Sequence, residues 1–243
     1  MSDKKIVLEN VTKGFGELSV VGGVSLDVKE GEFVAIVGPS GCGKSTLLNI
    51  VAGFERPDGG LVLINGAKLK KPTRNGIMIS QHGSVFPWLT VQENLLFALS
   101  GTSHPEPAKR AHRYIEMVGL SGFENAYPHE LSGGMLKRVE IARALVVKPE
   151  ILYMDEPFSA LDALMSLRMQ TELRRILDEE RHTVLLITHD VEEAIYLADR
   201  ILVLSPRPTV IQTSFTVDLP HPRKLSHPTA QALREAILTE LGL

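Results

Sequence analysis

The chain has 243 residues, of which 44% are hydrophobic and 23% are charged, and its formal net charge is −3 at pH 7. These values are typical of a globular protein with one large domain, with or without an inserted subdomain. The slight negative charge argues against a nucleic-acid partner. A single cysteine, Cys42, excludes an intramolecular disulfide and fits a reducing compartment. No stretch approaches the ~20 apolar residues that span a bilayer, and the N-terminus lacks the apolar run of a signal peptide, so we expect any membrane association to depend on a partner.

Short apolar runs along the chain predict strands. In chain order they are IVLENV (6–11), VSLDV (24–28), FVAIV (33–37), LVLI (61–64), IMIS (77–80), ILYM (151–154), VLLIT (184–188) and ILVL (201–204). The first two and LVLI alternate or lie beside glycine turns, as half-buried antiparallel strands do. By contrast FVAIV, ILYM and VLLIT are continuously apolar, which indicates parallel strands covered on both faces.

Helical patterns follow several of these runs. Asp190, with Glu193 three residues later, is typical of a helix start. Two helix faces are marked by apolar residues at helical spacing, Val191, Ala194, Ile195 and Ala198 in one and Met169, Leu173 and Ile176 in the other. Between about residues 83 and 149 no strand pattern occurs, which predicts an inserted helical subdomain. The sequence therefore predicts an α/β fold with a mostly parallel core sheet, an N-terminal antiparallel β layer and this α-helical insertion.

The segment 38–45, GPSGCGKS, matches the phosphate-binding pattern G-x-x-x-x-G-K-[ST] between a predicted strand and a predicted helix. Its backbone is expected to wrap the β-phosphate of a nucleoside triphosphate, while Lys44 reaches the β and γ oxygens and the Ser45 hydroxyl binds Mg²⁺. The expected nucleotide-binding residues are Gly38, Pro39, Ser40, Gly41, Cys42, Gly43, Lys44, Ser45 and Thr46. The sequence thus predicts a P-loop NTPase core.

Acidic residues follow the strand ILYM. Asp155 is placed to hold Mg²⁺ through water, and Glu156 to face the attacking water as a general base, which separates hydrolysing P-loop proteins from those that only bind nucleotide. His189 ends the strand VLLIT and is a third catalytic candidate, although a lone histidine is more often structural. The expected reaction is hydrolysis of a nucleoside triphosphate.

A second Ser/Gly-rich loop, LSGGM at 131–135, runs directly into a helical pattern and is itself typical of a phosphate site, with Ser132 also suited to cap the helix. Together with the motifs above, it resembles the signature loop of the ATP-binding subunits of ABC transporters. The resemblance covers nearly the whole chain, which would form a single ATP-binding domain over 1–225 and a short helical tail over 226–243. It implies that Gln81 is a catalytic and Mg²⁺-binding residue, that Phe15 stacks on adenine and that Ser159–Asp162 is the D-loop.

In that family two cassettes meet head to tail, and the signature loop of one closes on the ATP of the other. Ser132, Gly133 and Gly134 are therefore expected to bind the partner subunit's ATP, in a homodimer or a pair with a second ATPase subunit. The other implied partners are transmembrane permease subunits and, indirectly, a solute-binding protein. The implied location is the cytoplasmic face of the plasma membrane, held there through the permease.

Within the family, stretches such as FPWLTVQENL and DEPFSALDALMSLRMQTEL most resemble the ATPases of nitrate, sulfonate and taurine importers. The chain departs from that pattern at Ser80, at 136–138 (Leu-Lys-Arg for the usual Arg-Gln-Arg) and at 209–210 (Thr-Val for a common Gly-Arg). An ABC ATPase of DNA repair or translation and a P-loop kinase are the alternative readings. Phe86 and Trp88, after Gln81, are either core residues or an exposed patch that docks a cytoplasmic helix of the permease.

Overall fold

The structure is a computed structural model that describes residues 4–81 and 83–243. The strands are β1 (Lys4–Phe15), β2 (Leu18–Lys29), β3 (Phe33–Val37), β4 (Gly59–Ile64), β5 (Ala67–Lys68), β6 (Gly76–Ile79), β7 (Ile151–Asp155), β8 (Thr183–Ile187), β9 (Arg200–Leu204) and β10 (Ile211–Thr216). The helices are α1 (Lys44–Ala52), α2 (Val91–Leu99), α3 (Pro107–Met117), α4 (Gly133–Val146), α5 (Ala163–Glu180), α6 (Val191–Leu197) and α7 (Pro228–Glu240), with a 3₁₀ turn at Pro128–Glu130 before α4.

Two sheets organise the fold. The first is antiparallel, in the order β2-β1-β4-β5. The second has the order β10-β9-β3-β8-β7-β6, with every neighbouring pair parallel except β9 and β10. Strands β3, β7 and β8 are buried at every residue, as their continuous apolar sequences predict.

The predicted fold class is confirmed, including the antiparallel layer and the helical insertion: between residues 83 and 149 the structure has α2, α3, the 3₁₀ turn and α4. Strands β5 and β10 were not predicted. The first has only two residues, and the second alternates half-buried with exposed residues at the edge of the sheet, so its apolar pattern is weak. The domain limits at 225 and 226 stay predictions, although Ala230 and Ile237 of α7 are buried in the main hydrophobic core.

The order of strands positions the site. Strands β3, β7 and β8 are parallel, so their carboxyl ends lie at one edge of the sheet, where α/β proteins bind their ligands. The loops that leave these ends carry the P-loop, residues 155–156 and His189. Among the described residues, no helix is both long and apolar enough to cross a membrane.

Candidate functional site

The P-loop leaves β3 and ends at Gly43, which caps α1. Gly43 has a φ of 121°, and a Cβ there would lie 2.8 Å from a methyl group of Val20, so only glycine fits without strain. No side chain among the described residues caps this helix. Its first N–H groups and the positive end of its dipole are therefore available to an anion.

Lys44 lies across the P-loop. Its Nζ donates to the carbonyl oxygens of Gly38 at 2.8 Å and Pro39 at 2.9 Å, and the side chain is only 8% exposed. The ammonium group is thus already held at the mouth of the loop, where the sequence predicts the phosphate oxygens.

The loop between β9 and β10 supports the P-loop from behind. Thr209 is fully buried, and its hydroxyl donates to the carbonyl of Cys42. Its backbone exchanges hydrogen bonds of 2.8 Å with Val20 and Gly22 of β2. The sequence analysis noted position 209 as one where the chain departs from the importer pattern. It could not predict this contact, because Thr209 and Cys42 are 167 residues apart in the chain.

Asp155 ends β7 and is 5% exposed. Burial raises the pKa of this carboxyl and the negative charge of Glu156 adds to the effect, while a hydrogen bond from Ser45 and the charge of Lys44 oppose it. A buried carboxylate beside a hydroxyl offers the oxygen ligands that Mg²⁺ prefers. Ser45 and Asp155 therefore fit the predicted metal.

Glu156 follows with a φ of 48°, a conformation that is strained for a residue other than glycine. The backbone is held there by bonds on both sides: its N–H donates to the carbonyl of Ile187 at 2.9 Å, and its carbonyl accepts from the Ser159 hydroxyl at 2.9 Å. The turn aims the carboxylate at Gln81 and His189. Strain of this kind is typical of functional sites, because surrounding contacts must maintain it.

The structure brings the three remaining catalytic candidates together at one atom. Oε2 of Glu156 accepts from Nε2 of Gln81 at 3.4 Å and lies 3.3 Å from Nδ1 of His189. The His189 side chain is 64% exposed, whereas that of Glu156 is 20% exposed. The cluster is open on one side, and its geometry suits a carboxylate base with two polar groups that orient it.

A buried hydrogen-bonded pair, Thr188 and Glu193, lies close to His189 in the chain, and the sequence analysis did not identify it. The Thr188 hydroxyl donates to Glu193 at 2.6 Å, and Asp190 caps α6 by accepting from the N–H groups of Glu192 and Glu193. Asp190 thus caps the helix as expected, but the Glu193 side chain bonds Thr188 rather than the helix start. A carboxylate among the apolar residues of a predicted helix is the sequence feature that could have indicated a buried Glu193.

The signature loop is a separate unit at the start of α4. Ser132 caps the helix by accepting from the N–H of Met135 at 3.3 Å, as predicted. A Cβ on Gly133 would meet nothing within 4 Å, whereas one on Gly134 would lie 3.3 Å from the carbonyl of Ala160. No hydrogen bond among the described residues joins 132–134 to the P-loop.

Two aromatic candidates lie on the surface. Phe15, at the end of β1, is 50% exposed with Lys13 Nζ 5.1 Å from its ring centroid. Trp88 is 69% exposed, so the core reading is wrong for this residue; Phe86 is half-buried and packs on Trp88 and Phe97, with ring centroids 5.5 and 4.9 Å apart. Phe86, Trp88 and Phe97 form an exposed aromatic patch.

The parallel sheet, the P-loop and the carboxylate cluster define a P-loop ATPase. The family model described as ABC transporter matches residues 21–159, more than half of the chain. The chain belongs to the ABC transporter family, as the sequence motifs predicted.

Similar proteins support this assignment. The chain is 45% identical to the aliphatic sulfonates import ATP-binding protein SsuB of Bacillus licheniformis, over 94% of this chain and 89% of that protein. It is 41% identical to the bicarbonate transport ATP-binding protein CmpC of Synechocystis sp., over 96% of this chain and 37% of that longer protein. Among solved structures it resembles the dimeric bacterial ABC transporter cassette MJ0796, with a TM-score of 0.80, 34% identity and coverage of 88% of this chain and 100% of that one. A post-hydrolysis state of MJ0796 bound to ADP and Pi aligns with a TM-score of 0.77 and 33% identity.

The buried Glu193 makes stability depend on pH. Burial raises its pKa from 4.5 to about 7, the Thr188 hydroxyl opposes the shift, and the charges of Asp190 and Glu156 add to it. Between these two values the folded chain binds a proton that the unfolded chain releases, so stability is lost as the pH rises from 4.5 to 7. We expect the free energy of unfolding of the Glu193→Gln variant to be higher than that of the wild type by about 3 kcal/mol at pH 8 but by only about 1 kcal/mol at pH 5.

Urea unfolding at the two pH values measures this difference. Glu192→Gln, at an exposed position of the same helical turn, is the matched control for the loss of one carboxylate. A gain for Glu193→Gln that is equal at both pH values would contradict the prediction.

Proposed function

We propose that the chain hydrolyses ATP with Glu156 as the general base. The observation that carries this proposal is the convergence of Gln81 and His189 on one oxygen of Glu156, next to the P-loop. A carboxylate held in this position removes a proton from the attacking water. His189 and Gln81 orient Glu156 and the water, and Lys44 neutralises charge on the terminal phosphate oxygens.

ATP binds along the P-loop residues 38–46, and its adenine stacks on the exposed ring of Phe15. Ser45, Gln81 and Asp155 supply the Mg²⁺ site, with Asp155 acting through water. When bound, the metal ion neutralises phosphate charge and aligns the β and γ oxygens. Burial raises the pKa of Asp155, and a bound cation would oppose that shift by stabilising the ionised carboxylate.

Two copies of the chain, or one copy and a second ATPase subunit, form the catalytic unit. Ser132, Gly133 and Gly134 bind the ATP held by the opposite P-loop, through a capped helix N-terminus that faces its phosphates. The free space beside Gly133 and the dimeric form of the MJ0796 cassette support this arrangement. ATP then joins the two subunits, and its hydrolysis releases them.

The chain powers an importer of small solutes of the nitrate, sulfonate, taurine or bicarbonate kind. The relatives named for sulfonate import and bicarbonate transport support this class. Permease subunits dock on the exposed aromatic patch, hold the chain at the cytoplasmic face of the plasma membrane and receive solute from a binding protein. A role in DNA repair or translation is not favoured, because the SsuB and CmpC relatives carry transport names.

Glu156→Gln tests the general base. The amide keeps the size and hydrogen bonds of the side chain but does not take a proton, so hydrolysis should fall by roughly 10²–10⁴-fold while ATP still binds. Phosphate release measures turnover and equilibrium dialysis measures nucleotide binding. Turnover near the wild-type rate would remove Glu156 from this role.

A mixture of two inactive variants tests the shared site. Lys44→Ala disables the P-loop of one chain, and Gly133→Asp places a negative charge where the partner's phosphate binds, without a steric clash in its own chain. Each variant alone should be inactive, and the mixed dimer, with one complete site, should regain part of the ATPase activity. Gly133→Ala is the uncharged control and should stay active.

The dependence of activity on concentration complements that experiment. If the catalytic unit is a weak dimer, the specific activity of the wild-type chain should rise with protein concentration. Full activity in a chain shown by light scattering to be monomeric would contradict the shared site.

Trp88→Ala tests the docking patch. Removal of an exposed aromatic ring should leave the ATPase of the isolated chain unchanged but weaken copurification with the permease subunits, since buried aromatic rings dominate the energy of many interfaces. Leu18→Ala removes another exposed apolar side chain, 49% accessible against 69% for Trp88, from the N-terminal sheet and serves as the control. Unchanged assembly of the Trp88 variant would argue against docking at this patch.

A further inference from the structure

A buried ion pair lies on α4, one turn after the signature loop. Nζ of Lys137 is 3.0 Å from a carboxylate oxygen of Glu140, and the two side chains are 6% and 2% exposed. Replacement of a buried ion pair by apolar residues is often neutral or stabilising, because desolvation of the two charges is costly. The presence of the Lys137–Glu140 pair therefore points to a role in positioning neighbouring residues rather than in stabilising the fold.

Both members of the pair hold the segment that carries Gln81. Lys137 donates to the backbone carbonyl of Ser80 at 2.6 Å, and Glu140 accepts from the Ser84 hydroxyl at 2.9 Å. Gln81 is thus held from both sides against a single helix. Its side chain reaches Glu156 from this fixed backbone.

The same helix face continues to the aromatic patch. Arg143, three residues beyond Glu140, donates to the Ser84 hydroxyl at 2.5 Å and stacks over the Phe86 ring at 4.8 Å from its centroid. The contacts form an unbroken series from the signature helix, through the backbone beside Gln81, to the patch.

We propose that Lys137 and Glu140 are positioning residues of the ATPase reaction: through the Ser80 carbonyl and the Ser84 hydroxyl they attach the segment that carries Gln81 to α4 and so set Gln81 against Glu156. The inference rests on the proposed role of Gln81. A lysine at 137 suits this role, because its ammonium reaches both Ser80 and Glu140. Neither residue touches the nucleotide in this scheme. The Lys137 charge also opposes the burial that raises the pKa of Asp155, so the test must separate that effect from positioning of Gln81.

The decisive variants separate charge balance from positioning. Lys137→Met leaves Glu140 without its cation, so it should lower both stability and turnover. In Lys137→Met/Glu140→Gln neither member of the pair is left as an unpaired buried charge, so the thermal midpoint should recover in part; Arg143 loses the facing charge of Glu140 but keeps its bond to Ser84. The Ser80 carbonyl still lacks its donor, and kcat should stay about 10- to 100-fold below wild type, with the KM for ATP within about twofold.

Hydrogen exchange locates the effect. In the double variant we expect faster amide exchange confined to residues 80–86, because Ser80 has lost its attachment to α4 while Ser84 keeps its bond to Arg143. Lys109→Met removes the lysine of an exposed pair at the same three-residue separation, with Glu106, and should change neither kcat nor exchange at 80–86. Recovery of kcat in the double variant, or faster exchange spread over the whole chain, would overturn the proposal.

Gln81→Ala separates this proposal from the function on which it rests. If that variant turns over normally, the catalytic role of Gln81 is wrong, and the attachment of the segment is then judged by hydrogen exchange alone. If its kcat falls to the level of the double variant while exchange at 80–86 stays slow, positioning through Gln81 is supported.

Discussion

The start of α1 imposes the constraint on which the rest of the structure depends. A helix that begins at a glycine, with no side-chain cap among the described residues, leaves its first N–H groups and its positive dipole end to face an anion. The surroundings keep that end open and rigid: β3 delivers the loop, Val20 restricts Gly43, and Thr209 fixes the carbonyl of Cys42. Each of these supports comes from a different part of the chain. The antiparallel sheet and the β9–β10 loop therefore hold the P-loop in shape from behind.

Local sequence patterns predicted those parts of the fold and of the candidate site that depend on residues close together in the chain. The P-loop, the buried strands and the carboxylates after β7 each follow from a short window, so their positions could be read directly. Glu193, Thr209 and the Lys137–Glu140 pair could not, because burial and partners arise only when distant segments pack. Glu193 looked like an ordinary residue of a helix start until the structure turned its side chain towards Thr188. The short β5 and the amphipathic edge strand β10 carried too little pattern to be recognised.

The helical insertion carries both the signature loop and the aromatic patch. Helix α4 carries the signature loop at one end and contacts the backbone beside Gln81 along its side, while α2 and the residues before it present the aromatic patch. Asn94 is fully buried and bonds Phe86, Leu89 and Thr90, so the segment that carries the patch is fixed rather than loosely attached. A stiff link of this kind transmits small displacements, because packed interiors are weakly compressible.

The exposure of Trp88 has an optical consequence. It is the single tryptophan of the chain, and the structure places it on the surface, beside Phe86. Excitation at wavelengths that select indole therefore reports one position, with no label and no background from a second site. Contact with another protein would remove water from this ring and move its emission to shorter wavelengths. The patch therefore carries its own fluorophore, through which contact of this surface with another molecule can be followed without a label.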